Sequence, residues 1–136
     1  MGSKGWQMND WLEVDAYMGS VLVRHGFAPD GATGEIEYGG LPAWSVFYRR
    51  EDCKLQVCWS ARDGGIDFML APIDAPNEFG LLNTSKKWRF LLLLSDFDDG
   101  LTTPAPGAPT DVWWEWRRAL FDAHFPAAHA ALVARE

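Results

Sequence analysis

The sequence predicts an α+β domain, an antiparallel four-stranded β-meander packed with an N-terminal helix and C-terminal helices. Three observations lead there: helical spacing at the start, short alternating runs between turn residues in the middle, and helical spacing again after a proline-rich linker.

The first helix is expected over about residues 11–25. Asp10 and Glu13 form an N-cap and its reciprocal partner, and Trp11, Val14, Met18, Val21, Leu22 and His25 recur at helical spacing. Gly26 suits the left-handed residue past the helix end, with Phe27 folding back on the last turn. Residues 1–9 are expected to be a disordered N-terminus or cloning remnant, and residues 10–136 a single domain. A chain of 136 residues buries roughly two-thirds of its unfolded surface around one core.

After a loop holding Pro29, Gly31 and Gly34, strands are expected at 35–38, 43–50, 54–61 and 66–71. A turn at Glu51-Asp52 pairs Arg50 with Cys53, which sets Tyr48 against Leu55, Val46 against Val57 and Trp44 against Trp59. A two-residue Asp63-Gly64 turn would pair Arg62 with Gly65, Trp59 with Phe68 and Val57 with Leu70. Trp44, Trp59 and Phe68 then form an apolar row on one face. The other face carries Ser45, Phe47, Gln56, Cys58, Ser60, Asp67 and Met69, a mixture that calls for cover by a helix of the chain or by a partner.

A connection stiffened by Pro72 and Pro76 follows and exposes Asn77, Glu78, Phe79 and Gly80. Residues 85–97 hold four consecutive leucines, which periodicity alone does not assign. Leucine content and the lack of β-branched residues favour helix there, whereas Lys86 and Lys87 in the first turn oppose it. Three prolines mark 102–109 as linker. Thr110 is placed to cap a helix bearing Val112, Trp113, Trp116, Ala119, Leu120 and Ala123, broken near Pro126 and followed by a short last helix over 127–135.

Nineteen acidic residues against twelve basic ones leave a formal charge of -7, which disfavours nucleic acid and suits either solubility or a basic partner. The longest aliphatic run is far short of a membrane span, and no signal-like stretch opens the chain, so no membrane association and a cytoplasmic location are expected. Cys53 and Cys58 sit five apart in one strand, facing opposite sides at a separation of roughly 16 Å. They do not bridge, and with no second pair a zinc site is not expected.

Phosphate-binding glycine loops, a nucleophile elbow and a His-Glu-x-x-His pair are missing from the sequence. His124 and His129, five apart, do not share a helical face, and His25 suits a helix C-terminus. No catalytic residue, metal or cofactor is expected, and the chain reads as a non-enzyme. Asp96, Asp98, Asp99 and Gly100 resemble the start of a calcium loop, but its twelfth position would be Gly107 instead of Glu. They read as a solvated helix end or as an acidic patch for a basic partner. Trp113 and Trp114 cannot both face the core of one helix, and Arg117 and Arg118 lie one turn on; tryptophan beside arginine is the composition of an interface hot spot.

The stretches Ser60-Ala61-Arg62-Asp63-Gly64-Gly65-Ile66 and Ala71-Pro72-Ile73-Asp74-Ala75-Pro76-Asn77-Glu78-Phe79-Gly80, with Trp88 beyond them, resemble bacterial immunity-type proteins that accompany polymorphic toxins. The resemblance covers about a quarter of the chain and implies an α+β protein that neutralises a cognate toxin by direct binding in the cytoplasm. It assigns no individual binding residue. From the residues themselves the candidate partner contacts are Asp63, Asn77, Glu78, Phe79, Asp96, Asp98, Asp99 and Trp114. A secretion chaperone or adaptor for an effector is the alternative, and a small-ligand protein or enzyme a third that would need a deep polar pocket. Oligomeric state has no signature here.

Overall fold

Residues 13–135 are described by the computed structural model; the Asp10 cap, Trp11 and the expectation for residues 1–9 lie outside them. Helix α1 (Glu13–Arg24) buries Val14, Met18, Val21 and Leu22. It closes as its C-terminal residues dictate: Gly26 has φ +88, Phe27 N–H donates to the Leu22 carbonyl at 2.9 Å and Gly26 N–H to that of Val23 at 2.9 Å.

Among the described residues five antiparallel strands, one more than expected, follow one another in space as in sequence: β1 (Ala28–Tyr38), β2 (Leu41–Arg49), β3 (Cys53–Ser60), β4 (Gly65–Pro72) and β5 (Arg89–Phe90). The additional strand is the two-residue β5, paired with Met69 and Leu70. β1 also starts earlier than expected, taking in Pro29, Gly31 and Gly34. As an edge strand it tolerates a proline, and its pairing with β2 is interrupted between Pro29 and Ala32 and between Thr33 and Ile36.

The β2–β3 register is the expected one, with Trp44 against Trp59, Val46 against Val57 and Tyr48 against Leu55. The β3–β4 register differs by two residues: Trp59 meets Ile66, and Val57 meets Phe68. The cause is the turn. Gly64 N–H donates to the Ser60 carbonyl at 2.8 Å and Asp63 N–H to Ser60 Oγ at 2.9 Å, so Ser60 and Gly65 close the hairpin over a four-residue loop. An even slip keeps every side chain on its own face. Trp44 and Trp59 stack at 6.2 Å, and Phe68 still points inward, 5.7 Å from the Phe121 ring.

Helix α3 (Thr110–Ala134) packs with α1 on this face and is not broken at Pro126. Pro109 occupies its N-cap position and Thr110 makes no side-chain cap, in contrast to the expectation. An internal proline costs about 3 kcal/mol, since the carbonyl four residues back loses its donor. Here both Pro126 and Asp122, the residue that carries that carbonyl, are exposed to water. Phe121, Phe125, Ala128 and Leu132 are buried on either side of the proline and hold the two halves in line.

Residues 85–97 are neither one helix nor one strand. Ser85–Trp88 is loop, β5 follows, and α2 (Leu91–Ser95) is a short helix that buries Leu91 and Leu94 and exposes Leu92 and Leu93. Four leucines in a row supply two for the core and two for the surface, so no single period fits them.

Among the described residues the mixed second face is covered by the 73–88 connection and not by a helix. Phe47, Cys58, Met69, Ala71, Ala75, Phe79 and Trp88 form a second core there. Buried polar groups are met by the same loop: Gln56 Oε1 accepts from Ser45 Oγ at 2.8 Å and Gly80 N–H at 2.9 Å, while Gln56 Nε2 donates to the Glu78 carbonyl at 3.1 Å. Lys54 Nζ donates to the Ala75 carbonyl at 2.9 Å and to Asn77 Oδ1 at 2.7 Å. Cys53 and Cys58 are buried in opposite cores and do not bridge each other, as their spacing requires.

Gly80 has no room for a side chain: a Cβ would lie 2.4 Å from Met69 Sδ and 2.9 Å from Gln56 Nε2. Gly80→Ala is therefore expected to lower stability by about 1–3 kcal/mol through overpacking. Gly65→Ala, whose Cβ would meet nothing within 4 Å, is expected to be neutral. Urea unfolding of the two variants checks this; equal midpoints would contradict the tight approach of the loop.

Candidate functional site

At the start of α3 the spacing Trp113, Trp116, Arg117 places three large side chains on neighbouring positions, one turn apart. The Trp113 and Trp116 rings meet edge-on at 5.8 Å, and the Arg117 guanidinium lies 5.5 Å from the Trp113 ring and 4.8 Å from that of Trp114. Trp114 is stacked on Tyr17 at 5.2 Å on its other side and is fully buried. Trp114 is thus no surface contact; Trp113 is the half-exposed member of the pair.

Among the described residues, clefts open around these side chains. One, about 440 Å³, lies between the β3–β4 turn and α3, where Gly64 and Gly65 leave space beside Trp113, Trp116 and Arg117. A second, about 300 Å³, joins Trp116 and Arg117 to Asp67, Phe90, Leu92 and Leu93. The third, about 520 Å³, runs from Trp116 and Val112 to Leu101 and Pro104. Trp116 is common to all three. Their rim is apolar and exposed, with Leu92 46%, Leu93 75%, Leu101 37% and Val112 39% accessible.

Arg117 itself is only 8% accessible, and among the described residues no carboxylate is within ion-pair reach of it. Burial pushes its pKa down to about 10. Asp67 shares the smaller cleft, but burial and the neighbouring Asp63 charge push its carboxyl above the usual range. The indole N–H of Trp116 also has no acceptor among the described residues. The cleft presents buried donors framed by aromatic walls, which suits a carboxylate entering beside apolar groups.

The other expected contacts fall elsewhere. Asp63 is exposed on the turn beside the first cleft. Asn77 donates to the Asp30 carbonyl at 2.9 Å, Glu78 accepts from the backbone and hydroxyl of Ser85, and Phe79 is buried in the second core. Those three hold the covering loop in place, so Phe79 in particular is no surface contact. Asp96 and Asp98 are exposed. Asp99 accepts from Leu101 N–H at 2.7 Å and sits 2.5 Å from His124 Nε2.

Ser95 Oγ lies 2.6 Å from Nδ1 of the same histidine, giving a hydroxyl–imidazole–carboxylate series. The amide following Ser95 donates to the Leu92 carbonyl at 3.0 Å, so it is committed and not open to a developing oxyanion. The series ties residues 95–101 to α3. Arg117 and the tryptophans near it were visible in the sequence as composition; what was missed is that Trp113 and Trp116, and not the buried Trp114, line the clefts beside Arg117, a choice the 113/116/117 spacing already favours.

In comparisons with known proteins, no family model, no curated protein and no solved structure matches this chain.

Among the described residues three carboxylates face histidines. Hydrogen bonds from His124 and from Leu101 N–H hold Asp99 below the usual range, and bonds from His25 and Arg24 do the same for Asp122. At Asp52 burial pushes upward, but His129, Arg50 and Cys53 outweigh it. A depressed folded pKa gives stability that is complete above the unfolded value near 3.9 and is lost as pH falls through the folded one. The stability difference between wild type and Asp99→Asn is accordingly expected at pH 7 and should shrink below about pH 4. Denaturant unfolding across that range measures it.

Proposed function

We propose that this chain is a cytoplasmic immunity-type protein that neutralises a cognate toxin by binding it over the Trp116–Arg117 surface. The observation that carries this reading is Arg117, a buried cation with aromatic contacts and no carboxylate partner among the described residues. Held charged at neutral pH, it costs the free protein on the order of 3 kcal/mol, judged from its lowered pKa. The two indole contacts offset part of that, at roughly 0.5–2 kcal/mol each.

An acidic side chain of the partner would enter the cleft, pair with Arg117 and meet the Trp116 indole, while Leu92 and Leu93 form an apolar rim that excludes water. The net charge of -7 then steers a basic toxin toward the surface, and one carboxylate in that toxin anchors it. Inhibition is steric.

Co-expression with the product of the neighbouring gene tests the reading. The product is expected to be toxic alone and to form a complex that survives size exclusion; a harmless product or no complex overturns it. Within the complex, Arg117→Met should weaken binding by about 30-fold or more while raising the Tm of the free protein by a few degrees, because the buried charge is gone. Leu93→Asp should weaken binding and Leu82→Asp, on the loop over the opposite face, should not. A lower Tm in Arg117→Met with unchanged affinity would make Arg117 a structural residue instead.

A further inference from the structure

At the other end of α3, the unbroken passage through Pro126 brings His129 against the β2–β3 turn. His129 Nε2 lies 2.7 Å from Asp52 Oδ2, a contact between residues 77 apart in the chain. Cys53, the first residue of β3, also hydrogen-bonds Asp52. The carboxylate, thiol and imidazole donors all lie within 4.8 Å of one another.

We propose that Asp52, Cys53 and His129 form a zinc site with one coordination position open to solvent. The donor set is the first reason: thiolate and imidazole with a single carboxylate select zinc over calcium or magnesium, which require oxygen ligands. Size is the second. Tetrahedral ligands at zinc are separated by roughly 3.3–3.6 Å, so the Asp52–His129 contact of 2.7 Å opens by about 0.6–0.9 Å and no donor pair, all lying within 4.8 Å, closes by more than about 1.5 Å. Access is the third. Cys53 is fully buried, whereas the Asp52 and His129 side chains are 39% and 24% accessible, so the ion enters from water and its fourth position remains on that side.

Arg50 decides which carboxylate oxygen binds. Its Nε lies 3.0 Å from Asp52 Oδ1, leaving Oδ2 for the metal. Its other end donates to the His25 carbonyl at 2.9 Å and rests 5.4 Å from the Phe125 ring, so the guanidinium is held where it orients the ligand. On binding, the Cys53 thiol releases its proton to water and the thiolate bonds the ion. His129 presents the Nε2 lone pair, its proton moving to Nδ1 when the ring is neutral and leaving to water when it is charged. Binding therefore weakens as pH falls. Sequence spacing could not reveal the set, since the fold supplies His129.

Titration of the full chain with cobalt(II), followed by displacement with zinc(II), tests the proposal. The expected result is one equivalent of cobalt with a thiolate charge-transfer band in the near ultraviolet and tetrahedral ligand-field bands, all removed by zinc. Cys53→Ser should abolish the charge-transfer band, and Cys58→Ser should leave it. In case Cys53→Ser fails to fold, His129→Gln, at a partly exposed position, should lower zinc affinity by more than the roughly 10–100-fold that loss of a supporting contact costs. No charge-transfer band in the wild-type chain, a band that survives in folded Cys53→Ser, or unchanged affinity in His129→Gln would each overturn the site.

Discussion

β3 is buried along all eight of its residues, and the rest of the molecule is arranged around satisfying it on both sides. One side is apolar and takes α1, α3 and the short α2. The other carries Lys54, Gln56 and Ser60, whose polar atoms cannot be left without partners in a dry interior. Gln56 shows how this is met: its amide bonds Ser45 on β2 and the backbone of Glu78 and Gly80 in the covering loop. The loop is thus ordered by the strand it covers. Trp88 seals its far end, donating from Nε1 to the Pro76 carbonyl at 3.0 Å.

Arg117 contrasts with this care. Lys54 is buried to the same degree, at 8% accessible, yet has three oxygens near its ammonium, including Asp30 Oδ2 at 3.4 Å. Arg117 has indole faces and no such oxygen among the described residues. Among the described residues, one buried cation is met by several oxygens and a second has no carboxylate partner. That asymmetry, and not the overall acidity of the chain, is the basis of the functional reading.

The two ends of α3 serve different purposes. Its first turns expose Trp113 and Trp116 beside the β3–β4 turn, and its last turns bring His129 to the β2–β3 turn. The second depends on α3 continuing unbroken through Pro126, where buried apolar residues on either side outweigh the proline.

Alternation, turn residues and capping glycine determined the α+β class, the α1 closure, the β2–β3 register and the face to which each strand residue belongs. These rest on interactions between residues near in sequence, or on a period of two that survives a slip of two. The β3–β4 register, β5 and the helix through Pro126 were decided by tertiary structure. Ser60 bonds within the turn, and four leucines divide between core and surface only once α3 lies beside them. For the site, the sequence supplied tryptophan beside arginine and the exposed Asp63 turn. Only the fold could bury Trp114 against Tyr17, turn Asn77, Glu78 and Phe79 into props for a loop, and leave Arg117 without a carboxylate among the described residues, because each outcome depends on residues far apart in the chain.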